Sequence, residues 1–332
     1  MLNISKFLFL SIMILGTSMT LSSESWLGMW MGLEMNLIAF IPVLFKSKNP
    51  NSSESCMIYF LIQSFGSILM LISVLNNSLI MFSPSLIEDL FLTMLMFSMM
   101  IKLGIPPFHF WFPEILDKMN WMNCLILMTW QKIAPLFIMS LVINNYLLPI
   151  IICLTTITGA IGGLNQTSIR KIMAFSSINH MGWMIACMKF NNKMWMQYLA
   201  IYSIIIVMMI YMFNLYSSFY INQFSTLTPQ FTEKSLIIIL FLSLGGLPPF
   251  LGFLPKWMVI QSMISSNSFS ILIIMIMSVL ITLFYYIRLM STTLLISESI
   301  PKWHQKKSMN SNIAMMMITI NLTLPILMTF SL

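Results

Sequence analysis

Long apolar segments follow one another along almost the whole chain, and they limit the folds that it can adopt. A helix of about 20 apolar residues crosses a bilayer, and eleven such segments lie between polar clusters. They cover residues 4–21, 26–45, 56–75, 86–103, 121–143, 147–163, 170–188, 195–219, 235–251, 269–296 and 310–331. Charged residues are only 8% of the 332 residues, against about 25% in a soluble domain. The sequence therefore predicts an all-α polytopic membrane protein with about eleven transmembrane helices.

The first segment, MLNISKFLFLSIMILGTS, has two interpretations. A lysine, an apolar stretch and small residues are typical of a signal peptide, but a first membrane anchor has the same pattern. Further apolar segments follow at once. The connections, such as NNYLLP, are short and leave no room for a catalytic domain outside the membrane. We therefore expect the function to lie within the membrane.

Basic residues are distributed unevenly over the loops. Ten of them fall on the side of the N-terminus: Lys6, Lys46, Lys48, Lys118, Arg170, Lys171, Lys234, Lys302, Lys306 and Lys307. Only Lys189 and Lys193 fall on the opposite side. The positive-inside rule then predicts that the N-terminus faces the cytoplasm or the mitochondrial matrix. This bias accounts for the net charge of +7, so a nucleic-acid partner is not expected.

One motif occurs twice, as LGIPPFHFWFPE at 103–114 and as LGGLPPFLGFLPK at 244–256. Without gaps, Gly104, Pro106, Pro107, Phe108 and Pro113 align with Gly246, Pro248, Pro249, Phe250 and Pro255. Two consecutive prolines remove two backbone donors and break a helix. In hydrocarbon such a break persists only where protein or a hydrated cavity satisfies the freed carbonyls. The motifs therefore predict two helix breaks inside the membrane.

The two motifs lie on the fourth and ninth segments, five crossings apart, so the second must run in the opposite direction. The predicted organisation is two inverted five-helix repeats, residues 1–145 and 146–297, followed by a loop and an accessory C-terminal helix at 298–332. Interrupted helices in inverted halves are typical of an ion or substrate path at the bilayer midplane. The alternative is that the prolines only kink two helices to improve packing.

A lysine lies near the middle of one apolar segment. Lys132, in TWQKIAP, is about eleven residues from each end of segment 121–143, too deep for its stem to reach the surface easily. A charge at that depth costs on the order of 3 kcal/mol. Burial favours the neutral form, which suits a group that must accept and release protons. The alternative is a structural lysine bound to backbone carbonyls.

Three other charged residues lie in or beside apolar segments. Glu34, in WLGMWMGLEMNLIAF, is midway along the second segment, where a carboxylate needs a cation, so a lysine partner is expected. Lys102 precedes the first break and Lys256 follows the second. These positions predict that both lysines lie beside a hydrated pocket. The alternative is that each is an ordinary lysine at a helix end. Four such charges without a function would cost about 10 kcal/mol or more. Together with Lys132 they favour a charge pathway.

Other catalytic patterns are missing from the sequence. His109, beside the first break, and His180, in SSINHMGW, are weaker candidates for proton transfer and could instead form hydrogen bonds in the core. The histidines are too dispersed for a metal site. There is no Walker loop, HExxH, GxSxG or bis-histidine haem pattern. We therefore expect a conduit that binds no cofactor and no metal.

Five segments carry a resemblance to a known family: WLGMWMGLEMN, KLGIPPFHFWFPE, TWQKIAP, GGLNQTSIRKIMAFSSINHMGW and LSLGGLPPFLGFLPKW. With these, the chain resembles the mitochondrial NADH dehydrogenase subunit 2 family. Its members are antiporter-like membrane subunits of respiratory complex I, and the eleven-helix form is typical of animals, most like insect versions here. The resemblance covers residues from about 20 to 290. The first helix and the tail after residue 297 match mainly in hydropathy.

This resemblance implies a proton-translocating subunit of NADH:ubiquinone oxidoreductase, driven by quinone reduction elsewhere in the complex. It implies that Glu34 pairs with Lys102, that Lys132 is the central lysine and that Lys256 is the terminal one. It also implies no cofactor in this chain, because NADH, FMN, iron–sulfur clusters and ubiquinone belong to other subunits. The expected partners are subunit 4, subunit 4L, accessory subunits and phospholipids of the mitochondrial inner membrane, with the N-terminus in the matrix.

Two alternatives share these sequence features. A cation/proton antiporter would have the same broken helices and buried lysines. A passive scaffold of a membrane complex would hold neighbouring subunits and conduct no ions.

Overall fold

Helices account for nearly all of the backbone in a computed structural model, which describes residues 4–45, 49–77, 84–142, 147–190, 194–226, 231–295, 309 and 311–329. The helices are α1 (Ile4–Ser22), α2 (Trp26–Leu44), α3 (Pro50–Asn77), α4 (Pro84–Leu103), α5 (Trp111–Lys118), α6 (Trp121–Met128), α7 (Trp130–Leu141), α8 (Leu148–Gly162), α9 (Ile169–Phe190), α10 (Met194–Tyr216), α11 (Ile221–Thr226), α12 (Phe231–Gly245), α13 (Phe253–Ser265), α14 (Phe269–Leu295) and α15 (Ser311–Thr329). Every predicted segment overlaps a helix, so the all-α prediction is confirmed.

Six helical spans of the described residues are long and apolar enough to cross a membrane, one of them formed by α6 and α7 together, and three further apolar helical stretches are shorter. The chain is therefore a multi-pass membrane protein. Part of the predicted C-terminal loop, residues 298–308, lies outside the described residues. So do the predicted topology markers Lys46, Lys48, Lys193, Lys302, Lys306 and Lys307.

The chain divides into two compact units, Met1–Ile151 and Ile152–Leu332, and the division falls inside α8. In the first unit α1 packs along α2, α3 packs along α4 and α5, and α7 contacts α1, α2 and α4. In the second unit α12 packs against α10, α14 and α15, while α13 contacts α9, α10 and α14.

Two glycines allow α1 and α2 to approach closely in the first unit. A Cβ on Gly32 would lie 2.5 Å from Cγ2 of Thr20, and one on Gly16 would lie 2.9 Å from the backbone nitrogen of Asn36. Small residues at a helix crossing are the usual means of close packing in membranes, where lipid removes the hydrophobic drive for association. The first helix is thus packed tightly against α2.

Both proline motifs break a helix, as predicted. The helix stops at Leu103 in one motif and at Gly245 in the other, and it resumes at Trp111 and Phe253. The two stops and the two restarts are each 142 residues apart, which is the offset of the gap-free sequence alignment. In both motifs the peptide bond between the prolines is cis.

The same cap closes the two interrupted helices α4 and α12. Gly104 has φ +69° and Gly246 has φ +75°, the left-handed conformation that glycine adopts without steric cost. Their amides donate to the carbonyls of Ile101 (3.3 Å) and Ser243 (3.0 Å). The next amide in each motif donates to a carbonyl five residues earlier, at 3.0 and 3.2 Å. This pair of bonds is the Schellman motif, so each glycine is required by the backbone of its break.

The segment that carries Lys132 is interrupted near its middle. One transmembrane segment over 121–143 was predicted, and Trp121–Leu141 is long and apolar enough to form one membrane span. Within it α6 ends at Met128 and α7 begins at Trp130. Thr129 between them has φ −115° and ψ −71°, and its hydroxyl donates to the carbonyl of Leu125 at 2.7 Å. A threonine bonded to the preceding turn in this way bends a helix. The predicted span is therefore confirmed, and it contains a bend at Thr129 that the sequence analysis did not predict.

An arginine fixes the connection between α8 and α9 in the second unit. The guanidinium of Arg288, on α14, donates to the carbonyls of Leu164 at 2.6 Å and Gln166 at 2.9 Å. These carbonyls follow the end of α8, where a cation also interacts favourably with the helix dipole.

Candidate functional site

Lys102 and Lys132 lie on the wall of one small cavity in the first unit. Its other lining residues are Leu33, Asn36, Leu37, Tyr59, Gln63, Leu103, Trp111, Phe112, Leu127, Gln131 and Pro135. The cavity measures about 20 Å³, enough for about one water molecule. Both lysines are nearly inaccessible, at 6% and 3% exposure. The broken helix α4 and the helix α7 therefore meet at a polar cavity that can hold about one water molecule.

Lys102 occupies the last turn of α4, immediately before the break. Its backbone carbonyl is one of the groups that the Schellman motif leaves without a helical donor, and Nε2 of Gln63, on α3, donates to it at 3.0 Å. Gly66, one turn after Gln63, allows the lysine stem to pass, because a Cβ there would lie 2.9 Å from Cγ of Lys102. Helix α3 thus positions both the backbone and the side chain of this lysine.

Lys132 lies in the first turn of α7, just after the interruption at Thr129. Its ammonium nitrogen is 5.5 Å from the centroid of the Phe112 ring, within the range of a cation–π contact. Phe112 belongs to α5, the second half of the broken helix. The break thus brings an aromatic face to the central lysine as well as the neighbouring lysine on α4.

Glu34 lies on α2 and is half-buried. Its charge acts on Lys102, but within the described part of the chain the ion pairs recorded are those of Lys118 with Glu54 and Glu114. Glu34 does not line the cavity. The structure therefore places the carboxylate within electrostatic range of Lys102 without joining the two in a direct ion pair.

Lys256 lies on α13 in the second unit and is 5% exposed. Its ammonium group donates to the carbonyls of Gly245 at 2.8 Å and Leu244 at 3.3 Å, and it lies 5.9 Å from the ring centroid of Trp183. The carbonyl of Leu244 corresponds in the repeat to that of Lys102. An ammonium group therefore caps the second broken helix at a point where a neutral amide caps the first.

The two histidines have different surroundings. His180 is 8% exposed, and its Nδ1 lies 2.9 Å from the hydroxyl of Tyr198. Its ring is tilted against that of Tyr202, with the centroids 5.0 Å apart. His109 is half-buried and stacks at 4.2 Å on Phe110. Among the residues that the structure describes, no group of three or more His, Cys, Asp or Glu could hold a metal ion.

Sequence reasoning missed four polar residues of the cavity: Asn36, Tyr59, Gln63 and Gln131. Each lies in an apolar segment, where an amide or hydroxyl needs a hydrogen-bond partner, and this pattern could have identified them. Gln131 directly precedes Lys132 in TWQKIAP, the motif that drew attention to the lysine.

Comparisons with known proteins agree with this architecture. Residues 23–282 match the family described as NADH:quinone oxidoreductase/Mrp antiporter, TM. NADH-ubiquinone oxidoreductase chain 2 of Anopheles gambiae is 45% identical over 331 residues, covering 97% of this chain and 95% of its own. The same-named protein of Locusta migratoria is 44% identical, with 93% and 91% covered. A chain of respiratory complex I from Thermus thermophilus with bound Aureothin superimposes with a TM-score of 0.84 at 19% identity, with 98% of this chain and 78% of that chain covered.

Proposed function

Because the chain belongs to the NADH:quinone oxidoreductase/Mrp antiporter membrane family, we propose that it is the proton-translocating, antiporter-like subunit 2 of respiratory complex I. It forms part of NADH:ubiquinone oxidoreductase and carries out no redox chemistry. The observation that carries this proposal is the shared cavity of Lys102 and Lys132 beside a broken helix. Two ammonium groups in so small a space repel each other, so keeping both charged there is costly. The cavity therefore favours a state in which the two lysines exchange one proton.

The proton path of this proposal uses four charged residues. A proton is held by the Glu34 and Lys102 pair until charge movement, driven by quinone reduction elsewhere in the complex, separates them. Lys102 then gives up its proton through water in the cavity to Lys132. From there the proton passes to Lys256 and leaves the chain. The electrostatic interaction of Glu34 with Lys102 and the burial of all three lysines support these residues as members of the path.

The two inverted five-helix repeats are part of the proposal. The equal spacing of the breaks and their matching Schellman caps support residues 1–145 and 146–297 as the two halves, with 298–332 as an accessory segment. His109 and His180 are weaker candidates for proton transfer than these four charged residues, and the alternative role for each is a hydrogen bond in the core. In this arrangement the glycine and proline residues of the breaks, Gly104, Pro106, Pro107, Gly246, Pro248 and Pro249, shape the path and carry no protons.

The proposed setting follows from the family. The chain lies in the mitochondrial inner membrane with its N-terminus on the matrix side, as the distribution of basic residues supports. It contacts subunit 4, subunit 4L, accessory subunits and phospholipids. NADH, FMN, iron–sulfur clusters and ubiquinone are bound by other subunits of the complex.

The test is the proton-to-electron ratio of the intact complex in liposomes after Lys132→Met. We expect the ratio to fall, with NADH oxidation slowed or uncoupled and assembly preserved, because the neutral side chain cannot accept the proton from Lys102. Lys118→Met is the matched control, since Lys118 lies at the end of α5 and forms ion pairs with two exposed glutamates. An unchanged ratio in an assembled Lys132→Met complex would refute the relay and favour a passive scaffold.

The antiporter part of the family description favours a second candidate, a cation/proton antiporter. Sodium movement driven by membrane potential in the absence of NADH would distinguish it. Proton movement that depends on NADH oxidation contradicts it.

A further inference from the structure

The side chain of Gln131 joins three helices at the cavity, and no step of the proposed proton transfer uses it. Its Nε2 donates to Oδ1 of Asn36, on α2, at 3.0 Å. Its Oε1 accepts a hydrogen bond from the hydroxyl of Tyr59, on α3, at 3.3 Å. Nε2 also lies 3.2 Å from the sulfur of Met13, on α1. Both ends of the amide are therefore held in place.

These hydrogen bonds form a directed chain. The hydroxyl of Tyr59 donates to Gln131, and Gln131 donates to Asn36, so the dipoles point the same way from α3 through α7 to α2. Neither amide gains or loses a proton near neutral pH. The chain thus presents the same donors and acceptors to the cavity whichever lysine holds the proton.

The carbonyl of Gln131 also lacks its helical donor. Pro135 lies one turn later and has no N–H, so it cannot donate the helical hydrogen bond to the carbonyl of Gln131. Gln131, Lys132 and Pro135 all line the cavity. A polar backbone group and an anchored amide therefore lie beside the central lysine.

A space with room for about one water molecule gives that water little choice of position. Its orientation depends on the fixed polar groups of the wall, and proton transfer between two amines through one water requires both of its hydrogen bonds to be aligned. Asn36, Tyr59 and Gln131 are the neutral polar side chains of the wall that bond to one another. Gln63, also on the wall, is engaged with the carbonyl of Lys102.

From this arrangement we propose that Gln131 is a positioning residue for the proton transfer, and that its amide, anchored by Tyr59 and Asn36, orients the water that bridges Lys102 and Lys132. The inference rests on the proposed function. Gln131 accepts no proton itself. Its role is to keep one water geometry available, so that transfer between the lysines does not wait for the cavity wall to rearrange.

The experiment compares Gln131→Met with wild type in the intact complex in liposomes. Methionine keeps the length and volume but cannot bond to Tyr59 and Asn36. We expect NADH oxidation coupled to pumping to slow about three- to tenfold, the effect of losing hydrogen bonds of ordinary net strength. We also expect the ratio of rates in H₂O and D₂O to rise, because proton transfer becomes the slow step.

Two further variants complete the design. Gln261→Met is the matched control, because Gln261 is exposed on α13 of the other unit, and wild-type rates and isotope effect are expected for it. Tyr59→Phe removes one hydroxyl of the chain and keeps the ring that packs at 5.2 Å on Phe40. It gives the same test if the Gln131→Met complex does not assemble, with a smaller slowing and the same rise in the isotope effect.

The outcomes separate this inference from the proposed function. A normal rate and isotope effect in Gln131→Met, with pumping lost in Lys132→Met, would overturn the role of Gln131 and leave the relay intact. Normal pumping in both variants would refute the relay itself. Reduced assembly of Gln131→Met with a normal isotope effect per assembled complex, and a normal isotope effect in Tyr59→Phe, would show that the amide only packs the helices and would also overturn the inference.

Discussion

Replacing Gly246 with alanine tests how the second broken helix holds its lysine. The residue has φ +75°, and an alanine in this left-handed conformation costs roughly 1–2 kcal/mol. The added Cβ would lie 2.6 Å from Cδ and 2.9 Å from Nζ of Lys256, closer than atoms in contact allow. The ammonium group would have to move away from the carbonyls of Leu244 and Gly245, which it now meets at 3.3 and 2.8 Å.

The expected loss of stability at the second break is the sum of the backbone strain and the lost hydrogen bond of Lys256. A hydrogen bond to a charged group contributes about 1.5–3 kcal/mol, so losing one of the two adds about 2 kcal/mol to the backbone strain. Gly104→Ala is the matched control. Its φ is +69°, so its strain is the same, but its Cβ would meet Cβ of Phe112 at 3.0 Å and would displace no lysine. The extra 2 kcal/mol in Gly246→Ala corresponds to about a 30-fold difference in local opening.

Hydrogen exchange of the amides around each break, measured by mass spectrometry on the intact complex, reports this local opening. We expect exchange about tenfold faster than wild type at the first break in Gly104→Ala, as its strain alone predicts. At the second break in Gly246→Ala the acceleration should be roughly 30-fold greater again. Equal acceleration in the two variants would refute the reasoning, because it would mean that Lys256 contributes nothing to the cap.

Three other substitutions have expected effects that follow from single contacts. Arg288→Ala removes the donors of two loop carbonyls and should cost about 3 kcal/mol or more, seen as faster thermal inactivation, whereas wild-type inactivation would contradict the clamp. Gln63→Met leaves the carbonyl of Lys102 without its side-chain donor, at a cost of about 1–3 kcal/mol, and should speed hydrogen exchange at the first break only. Gly32→Val brings a side chain onto Thr20 and should reduce the amount of assembled complex, while a normal amount would show that α1 and α2 can separate freely.

The sequence predicted the helices and the breaks because both follow from local chemistry. A span of apolar residues has few alternatives in a bilayer, and two adjacent prolines cannot continue a helix. The depth of Lys132 in its segment also indicated a buried position, which its 3% exposure confirms.

The partners of these residues could not be predicted in the same way. Gln63 is 39 residues from the lysine whose carbonyl it meets, and Gln131 is 95 residues from Asn36. Such contacts depend on how helices pack, and helix propensity and hydropathy carry no information about that. The interruption at Thr129 was missed for a related reason, because a threonine is compatible with a straight helix until its hydroxyl bonds to the preceding turn.

The different caps of the two broken helices have an electrical consequence. The last carbonyls of a helix carry about half a negative charge through the aligned peptide dipoles. At the end of α4 the amide of Gln63 donates to the carbonyl of Lys102. This amide is neutral, so its electrostatic contribution stays constant. At the end of α12 the ammonium of Lys256 donates to the carbonyls of Leu244 and Gly245. In the proposed proton path, the field at this helix end changes each time Lys256 loses or regains its proton. Under this proposal one break has a fixed electrostatic potential, and the other has a potential that depends on the protonation of Lys256.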